Sequence, residues 1–567
     1  MDIFQFFYLF HTNDLLLRIV KKILFLLTFS LLFGCANNKV ETNPKLIVLI
    51  SVDQMRGDYL ETFNSQFEGG LLDFYTNGAF YTNTRHNHAI TTTAAGHATI
   101  ATGFFPSHHG IVTNTVYNRE LGYSHYSIED STVNFIGIDS CSLNKVSAKR
   151  LMKSSFGDIL KQHNENSKTY SVALKDRASI LMGGKNANRA FWFDVASTQM
   201  VSTDYYKEEF PKWVQNYKAD SVMSTAIHHG WKLDPAFATL SSTNSDSFSR
   251  EKGSFKPWFP HTIESFDTNR IRQHEVGSFM WNTPFGDEYV LNFGYNIISH
   301  EELGKDENCD ILTIGLSAAD IIGHHFGPDS YEVLDYYNKL DKYLADFMSK
   351  VNTQVGKENV VYILTSDHGV APMPEVLAGR GLDAKRIENE KYDTDILAID
   401  LKLQQKYNLD SSCILRANYN GVEPHFLYLN EKGIDSIDFV NSLQHELSNL
   451  DYIQETFSFF ELNSEQSNKE YFEQMKNSHS NDYGVFVKIL GKENYLIDMR
   501  ENGTTHGTPY PYDTHVPLIF LGRGIPAHKN SDKSYTVDIA PTILSILKIE
   551  PKTPFDGRIL TLELSSK

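Results

Sequence analysis

The chain has 567 residues, 41% of them hydrophobic, and a formal net charge of −18. That length supports a large core and exceeds one minimal domain. The acidic balance argues against nucleic-acid binding through a basic surface, and any phosphate site must carry its own local cations.

Arg18, Lys21 and Lys22 precede the apolar run Ile23 to Phe33, which is the order of a secretory signal. The run ends Leu32-Phe33-Gly34-Cys35, which resembles a bacterial lipobox. Residues 1–35 are therefore expected to be a lipoprotein signal peptide, with Cys35 as the lipidated first residue of the mature chain. Residues 36–44 read as a polar tether. The protein is expected to be exported, periplasmic or at the cell surface, and to meet the membrane only through this lipid anchor. A plain signal anchor is the alternative. Of the other cysteines, Cys141, Cys309 and Cys413 allow at most one internal disulfide, and their wide spacing excludes a zinc ribbon.

Residues 45–567 read as the main folded domain. Lys45 to Val52 is an apolar, β-branched run closed by Asp53, as expected of a buried parallel strand. Thr91-Thr92-Thr93-Ala94-Ala95-Gly96-His97 reads as a loop entering a helix of small residues. A hydroxyl there gains from the helix dipole, and so would a phosphate; a helix-capping threonine is the plain alternative. The segment at about 165–295 is rich in aromatics and reads as an insertion. Asp310 to Leu316 is a further strand, and Asp320 and His324 follow it at helical spacing on one face. Tyr331 to Val351 reads as a helix.

Val360 to Thr365 is another buried strand, ending in Ser366-Asp367-His368-Gly369. An oxygen ligand beside an imidazole at a strand end suits a zinc-type cation. A second insertion, about 375–500, is expected to be an α+β cap. Within it His425 to Leu429 and Tyr452 to Phe460 read as strands, and Val440, Leu443, Leu447 and Leu450 as a helical core stripe. His506 sits in a glycine-containing loop before the last core strand, Val516 to Leu521. Thr536 to Leu544 starts a helix, with Asp538 as cap. The expected fold is α/β: a mostly parallel sheet flanked by helices, with inserted α+β cap segments.

Asp53, Asp320, Asp367, His324, His368 and His506 supply three carboxylates and three imidazoles, enough for two divalent cations. Singly, each is as well explained as a turn, a helix cap or a local ion pair. Together with Thr93-Ala94-Ala95-Gly96-His97 and Ser107-His108-His109-Gly110-Ile111-Val112-Thr113-Asn114, they resemble the alkaline phosphatase superfamily. The chain looks most like the type I phosphodiesterase/nucleotide pyrophosphatase branch, and within it the single-threonine, phosphate-irrepressible bacterial alkaline phosphatases.

The resemblance implies two zinc ions, one held by Asp320, His324 and His506, the other by Asp53, Asp367, His368 and Thr93. It implies Thr93 as nucleophile, with Thr92 as the fallback, and a phosphothreonine intermediate. Asn114, Lys175 and Arg177 would bind the phosphoryl oxygens. Ala95 stands where relatives commonly carry proline before the Gly-His pair. The expected activity is hydrolysis of small phosphate monoesters. A phosphodiesterase on the same scaffold is the first alternative, and a non-catalytic phospho-ligand-binding lipoprotein the second. A sulfatase is disfavoured, because no Cys/Ser-x-Pro-x-Arg element stands at the nucleophile position.

Overall fold

The apolar run at the start of the domain folds as β1 (Leu46–Val52), buried along its whole length. The computed structural model describes residues 43–138, 144–217, 220–237, 244–252, 256–263, 273–464, 466–498 and 500–562. The expected signal peptide, nearly all of the tether, and Cys35 and Cys141 lie outside them.

After β1 come β2 (Ala79–Tyr81), β3 (Thr115–Asn118), β4 (Tyr123–Tyr126), β5 (Phe135–Ile136), β6 (Thr169–Ala173), β7 (Arg189–Asp194) and β8 (Gln199–Thr203). Then follow β9 (Asp310–Leu316), β10 (Val360–Thr365), β11 (Ile414–Asn418), β12 (Gly421–Pro424), β13 (Ile453–Ser458), β14 (Val487–Gly491), β15 (Leu518–Gly522) and β16 (His528–Asn530). Ten strands form one sheet in the order β16-β2-β15-β10-β1-β9-β6-β7-β8-β5. The central strands β10, β1, β9, β6 and β7 are mutually parallel. Alternate side chains of β1 enter two cores: Leu46, Val48, Ile50 and Val52 one, Ile47 and Leu49 the other. Both faces are covered, which is why the strand reads as continuously apolar.

The expected last core strand joins this sheet as β15, but antiparallel to β10. The chain reaches it directly from the loop that carries His506, without a crossover helix. His506 lies beside His368 at the carboxyl edge of β10, and a strand entered from that edge runs back antiparallel.

The helices that matter for the site are α1 (Thr93–Thr102), α2 (Asp176–Gly183), α3 (Pro284–His300), α4 (Ala318–Phe326) and α5 (Tyr331–Val355). Later come α6 (Asn389–Tyr407), α7 (Phe426–Glu431), α8 (Ser436–Ser448) and α9 (Ile539–Ile546). All ten residues of α1 are buried, and its small side chains let the helix approach the sheet closely.

Residues 389–491 include a four-stranded antiparallel sheet in the order β11-β12-β14-β13, with α6 and α8 packed beside it. The stripe on α8 is core, as its spacing suggests: Val440, Leu443 and Leu447 are buried. The run from His425 to Leu429 is not a strand. It opens helix α7, because Pro424 ends β12 and cannot extend the ladder. Leu427 is 78% exposed and Leu429 fully buried, although strand alternation would put both on one face. Cys309 and Cys413 are buried free thiols.

Candidate active site

Three strand ends lie level. Val52 pairs with Leu316 and Ser51 with Thr365, so Asp53, the start of α4 and Asp367-His368 emerge together at the carboxyl edge of the sheet. Gln54 turns the chain with φ +68°, and its amide then donates to Asp367 Oδ1 at 3.2 Å. Its side chain donates to Asp320 Oδ1 at 2.7 Å. A Cβ at Gly323 would lie 1.8 Å from Gln54 Oε1, so the α4 glycine makes room for this contact.

The six candidate ligands form two adjoining groups. His324 Nε2 lies 3.2 Å, and His506 Nε2 3.5 Å, from Asp320 Oδ1. His368 Nε2 lies 3.4 Å from both Asp53 Oδ1 and Asp367 Oδ2. Asp320 also reaches the second group, since Asp53, Asp320 and His368 offer atoms all within 4.8 Å. Asp53 Oδ1, Asp367 Oδ2 and His368 Nε2 are buried without a hydrogen-bond partner. Orphaned acceptors that converge on one point fit a cation, because burying them unpaired is costly.

Each imidazole is oriented from behind. Nδ1 of His324 lies 2.7 Å from Thr504 O and also meets the Arg500 guanidinium, that of His368 donates to Gly369 O at 2.9 Å, and that of His506 to Thr91 O at 2.6 Å. A carbonyl only accepts, so Nδ1 of His368 and of His506 carries the proton and their Nε2 atoms present lone pairs to the site. Burial holds His324 below, and His368 well below, the ordinary imidazole range, which keeps both in the neutral ligand form. The rings of His368 and His506 stack at 3.5 Å.

Lys175 lies between the groups. Its ammonium donates to Asp53 Oδ2 at 2.7 Å and to Asp320 Oδ2 at 2.6 Å. Burial pushes Asp53 up, neighbouring Asp367 and Asp320 add to the rise, and Lys175 offsets part of it. Burial also works against ionised Asp320, but His324 and Lys175 outweigh it and hold this carboxylate well below its usual range. In Asp367 the same penalty is outweighed by His368 and His97, again downward. Three buried carboxylates thus face one ammonium. Positive charge is missing from the centre, and divalent cations would supply it.

The three threonines differ in their contacts. Thr91 Oγ1 donates to Thr508 O at 3.0 Å, and Thr92, at the N-cap of α1, touches Thr113 Oγ1 at 3.5 Å. Thr93 Oγ1 has no hydrogen-bond partner among the described residues. The Thr93 carbonyl accepts from His97 Nδ1 at 2.8 Å, and that nitrogen lies 3.2 Å from Asp367 Oδ2. A Cβ at Gly96 would stand 2.1 Å from the Asp367 carbonyl oxygen, so the first turn of α1 rests directly on the Asp367 backbone.

Asn114 Oδ1 accepts from Ala94 N at 2.9 Å, which leaves its amide protons for another acceptor. Arg177 stands in the first turn of α2, two residues after Lys175. Its guanidinium donates to Tyr126 Oη at 3.3 Å, and Tyr126 in turn donates to Asp176 Oδ1 at 2.6 Å.

Several supporting residues escaped the sequence reading. Asp287 on α3 accepts from Ala318 N and from Tyr336 Oη at 2.7 Å, and so anchors the start of α4. Asp513 accepts from Gly507 N, Thr508 N and Thr508 Oγ1 and holds the His506 loop. Arg386 donates to Gly503 O at 2.7 Å and ties that loop to the inserted segment. Asp287 and Arg386 carried no readable signal. Gln54 did, as the polar residue straight after a candidate ligand.

The model of the type I phosphodiesterase / nucleotide pyrophosphatase family matches residues 47–425. Alkaline phosphatase PafA of Elizabethkingia meningoseptica is 33% identical over 550 residues, 95% of this chain and 98% of that protein. Alkaline phosphatase PhoV of Synechococcus elongatus is 30% identical over 524 residues, 91% of this chain and 92% of that protein. The crystal structure of wild-type PafA superposes with a TM-score of 0.84 at 32% identity, covering 92% of this chain and 99% of that one. A PafA variant substituted at a threonine, an asparagine, a lysine and an arginine gives a TM-score of 0.83 at 30% identity, covering 91% and 98%.

Proposed function

The chain belongs to the type I phosphodiesterase / nucleotide pyrophosphatase family, and within it we propose an alkaline phosphatase that hydrolyses small phosphate monoesters with two zinc ions and Thr93 as nucleophile. The alkaline phosphatase assignment rests on full-length likeness to proteins of that name. For the two-cation site, the supporting observation is the excess of buried carboxylates over ammonium groups around orphaned Asp53 Oδ1, Asp367 Oδ2 and His368 Nε2.

Asp320, His324 and His506 would hold one ion, and Asp53, Asp367, His368 and Thr93 the other. Bound there, divalent cations supply Lewis acidity to the attacking and leaving oxygens. The remaining work falls to the chain. Thr93 Oγ1 forms the new bond to phosphorus as the ester oxygen departs, and hydrolysis of the phosphothreonine restores the hydroxyl. His97, bonded to the Thr93 carbonyl, fixes the turn that presents it. The free amide protons of Asn114 donate to a phosphoryl oxygen. Lys175 has three donors, two of them on Asp53 and Asp320, and the third is left for the phosphoryl group. In the substituted PafA variant, the threonine–asparagine and lysine–arginine separations equal those of Thr93–Asn114 and Lys175–Arg177.

Monoesters carry one more non-bridging charge than diesters, and Lys175 with Arg177 is the matching cation pair. A paired assay of a monoester and a diester, before and after chelation and zinc restoration, tests the proposal. Both activities should vanish on chelation, and zinc should restore the monoesterase preferentially. Lys175→Ala combined with Arg177→Ala should lower monoester turnover far more than diester turnover. Equal losses would favour a phosphodiesterase instead, and turnover that survives complete metal removal would end the two-cation reading.

A further inference from the structure

The hairpin β3–β4 has two faces. Thr115 and Tyr126 form one cross-strand pair, and Tyr126 bonds to Arg177 and Asp176 on the side of the active site. The next pair, Val116 and His125, points the other way and lines a cleft of about 410 Å³. This cleft also reaches Lys185, beyond the end of α2, whereas Arg177 stands at its start. Eight helical residues separate the two ends by about 12 Å. The cleft is therefore distinct from the catalytic centre.

Its lining is unusual for so acidic a chain. Lys149, Arg150 and Lys185 all border it. Among the described residues, Arg150 and Lys185 have no carboxylate partner. Lys149 has only Asp130, at 3.8 Å, and that carboxylate already accepts from Thr132 and Ser147. Deeper in, His125 and Ser127 are 5% and 3% exposed. Both ring nitrogens of His125 and the hydroxyl of Ser127 are buried without a partner. Unmade hydrogen bonds of this kind cost stability unless a ligand satisfies them. Val116, Leu151 and Met152 add an apolar wall.

We propose that this cleft binds a small molecule through a phosphoryl group, with the oxyanion among Lys149, Arg150 and Lys185, donors from His125 and Ser127 beneath it, and any organic substituent on the apolar wall. Inorganic phosphate and an organic phosphate share the recognising chemistry. The volume accommodates either.

Calorimetric titration of the metal-loaded full-length protein with inorganic phosphate, and separately with phenylphosphonate, tests this. Lys149→Ala combined with Lys185→Ala, both near the surface, should bind one equivalent less than the parent and keep monoester turnover within about twofold. Ser127→Ala, which leaves the charge unchanged, should weaken the same site about tenfold, the effect of one lost hydrogen bond to a charged group. Lys175→Ala with Arg177→Ala should retain it, so failure here is separable from failure of the catalytic reading. Tighter binding of phenylphosphonate would identify an organic phosphate as the occupant, and tighter binding of phosphate the inorganic ion. Titrations of the Lys149/Lys185 variant that match the parent would overturn the proposal.

Discussion

Of three consecutive threonines, the one with an uncommitted hydroxyl is Thr93, which the resemblance implies as the nucleophile. Thr93→Ala should lower turnover on the order of 10³-fold or more, as loss of a nucleophile does. Thr92→Ala should change it only a few-fold, because the Thr92 side chain makes no capping hydrogen bond. A larger loss in the Thr92 variant would transfer the nucleophile role. Gly96 gives a second test at this scale. Gly96→Ala drives a methyl group to 2.1 Å from the Asp367 carbonyl, and should cost about 1–3 kcal/mol of stability together with most of the activity. Thermal melts and steady-state rates on the same preparation would check both. The candidate ligands were readable because carboxylates and imidazoles at strand ends have few other reasons to coincide. Asp287 and Arg386 were not, since buried carboxylates and guanidinium groups occur anywhere and only the folded chain shows which atoms they meet.

Strands buried on both faces announced themselves by unbroken apolar runs, and β1, β9 and β10 begin and end close to where composition places them. Direction was less legible, because side-chain pattern is identical for a parallel and an antiparallel neighbour, and β15 shows it. Pattern also misleads over short runs, as α7 did. The inserted sheet carries its own pH dependence. Glu423 on β12 is buried, and burial pushes its carboxyl up to about 7 against 4.5 in a free chain, although it accepts from Phe486 N at 2.7 Å. A raised folded-state value means that this group's contribution is fully present below about 4.5 and is lost as pH rises through about 7. Glu423→Gln keeps an acceptor for the Phe486 amide and removes the titration. Its melting temperature should exceed that of the parent by about 1–3 °C at pH 8, with the gap closing below pH 5. A difference constant across that range would refute this assignment.

At the scale of the whole molecule, three buried carboxylates against one ammonium predict a stability that depends on bound metal. Each tightly bound ion should add about 4 kcal/mol at a concentration 1,000 times its dissociation constant. Chelation should therefore lower the melting temperature of the full chain, and zinc should restore it, whereas an unchanged melt would argue that the carboxylates are neutralised another way. With a net charge of −18 a phosphate site needs its own cations, and Lys175 and Arg177, at the start of α2, are the proposed source.

The order of the sheet has a consequence for how the protein is made. Strand β15, from residues 518–522, lies between β10 and β2, so a strand from the start of the domain cannot join the sheet until one from near its end has arrived. His506, too, comes late in the chain. A nascent polypeptide can assemble β10, β1, β9 and β6 early, but neither the sheet nor the cation site closes before synthesis is almost finished. Such long-range pairing slows folding. It also postpones completion of the candidate active site to the last step, when the segment that carries His506 and β15 has been made.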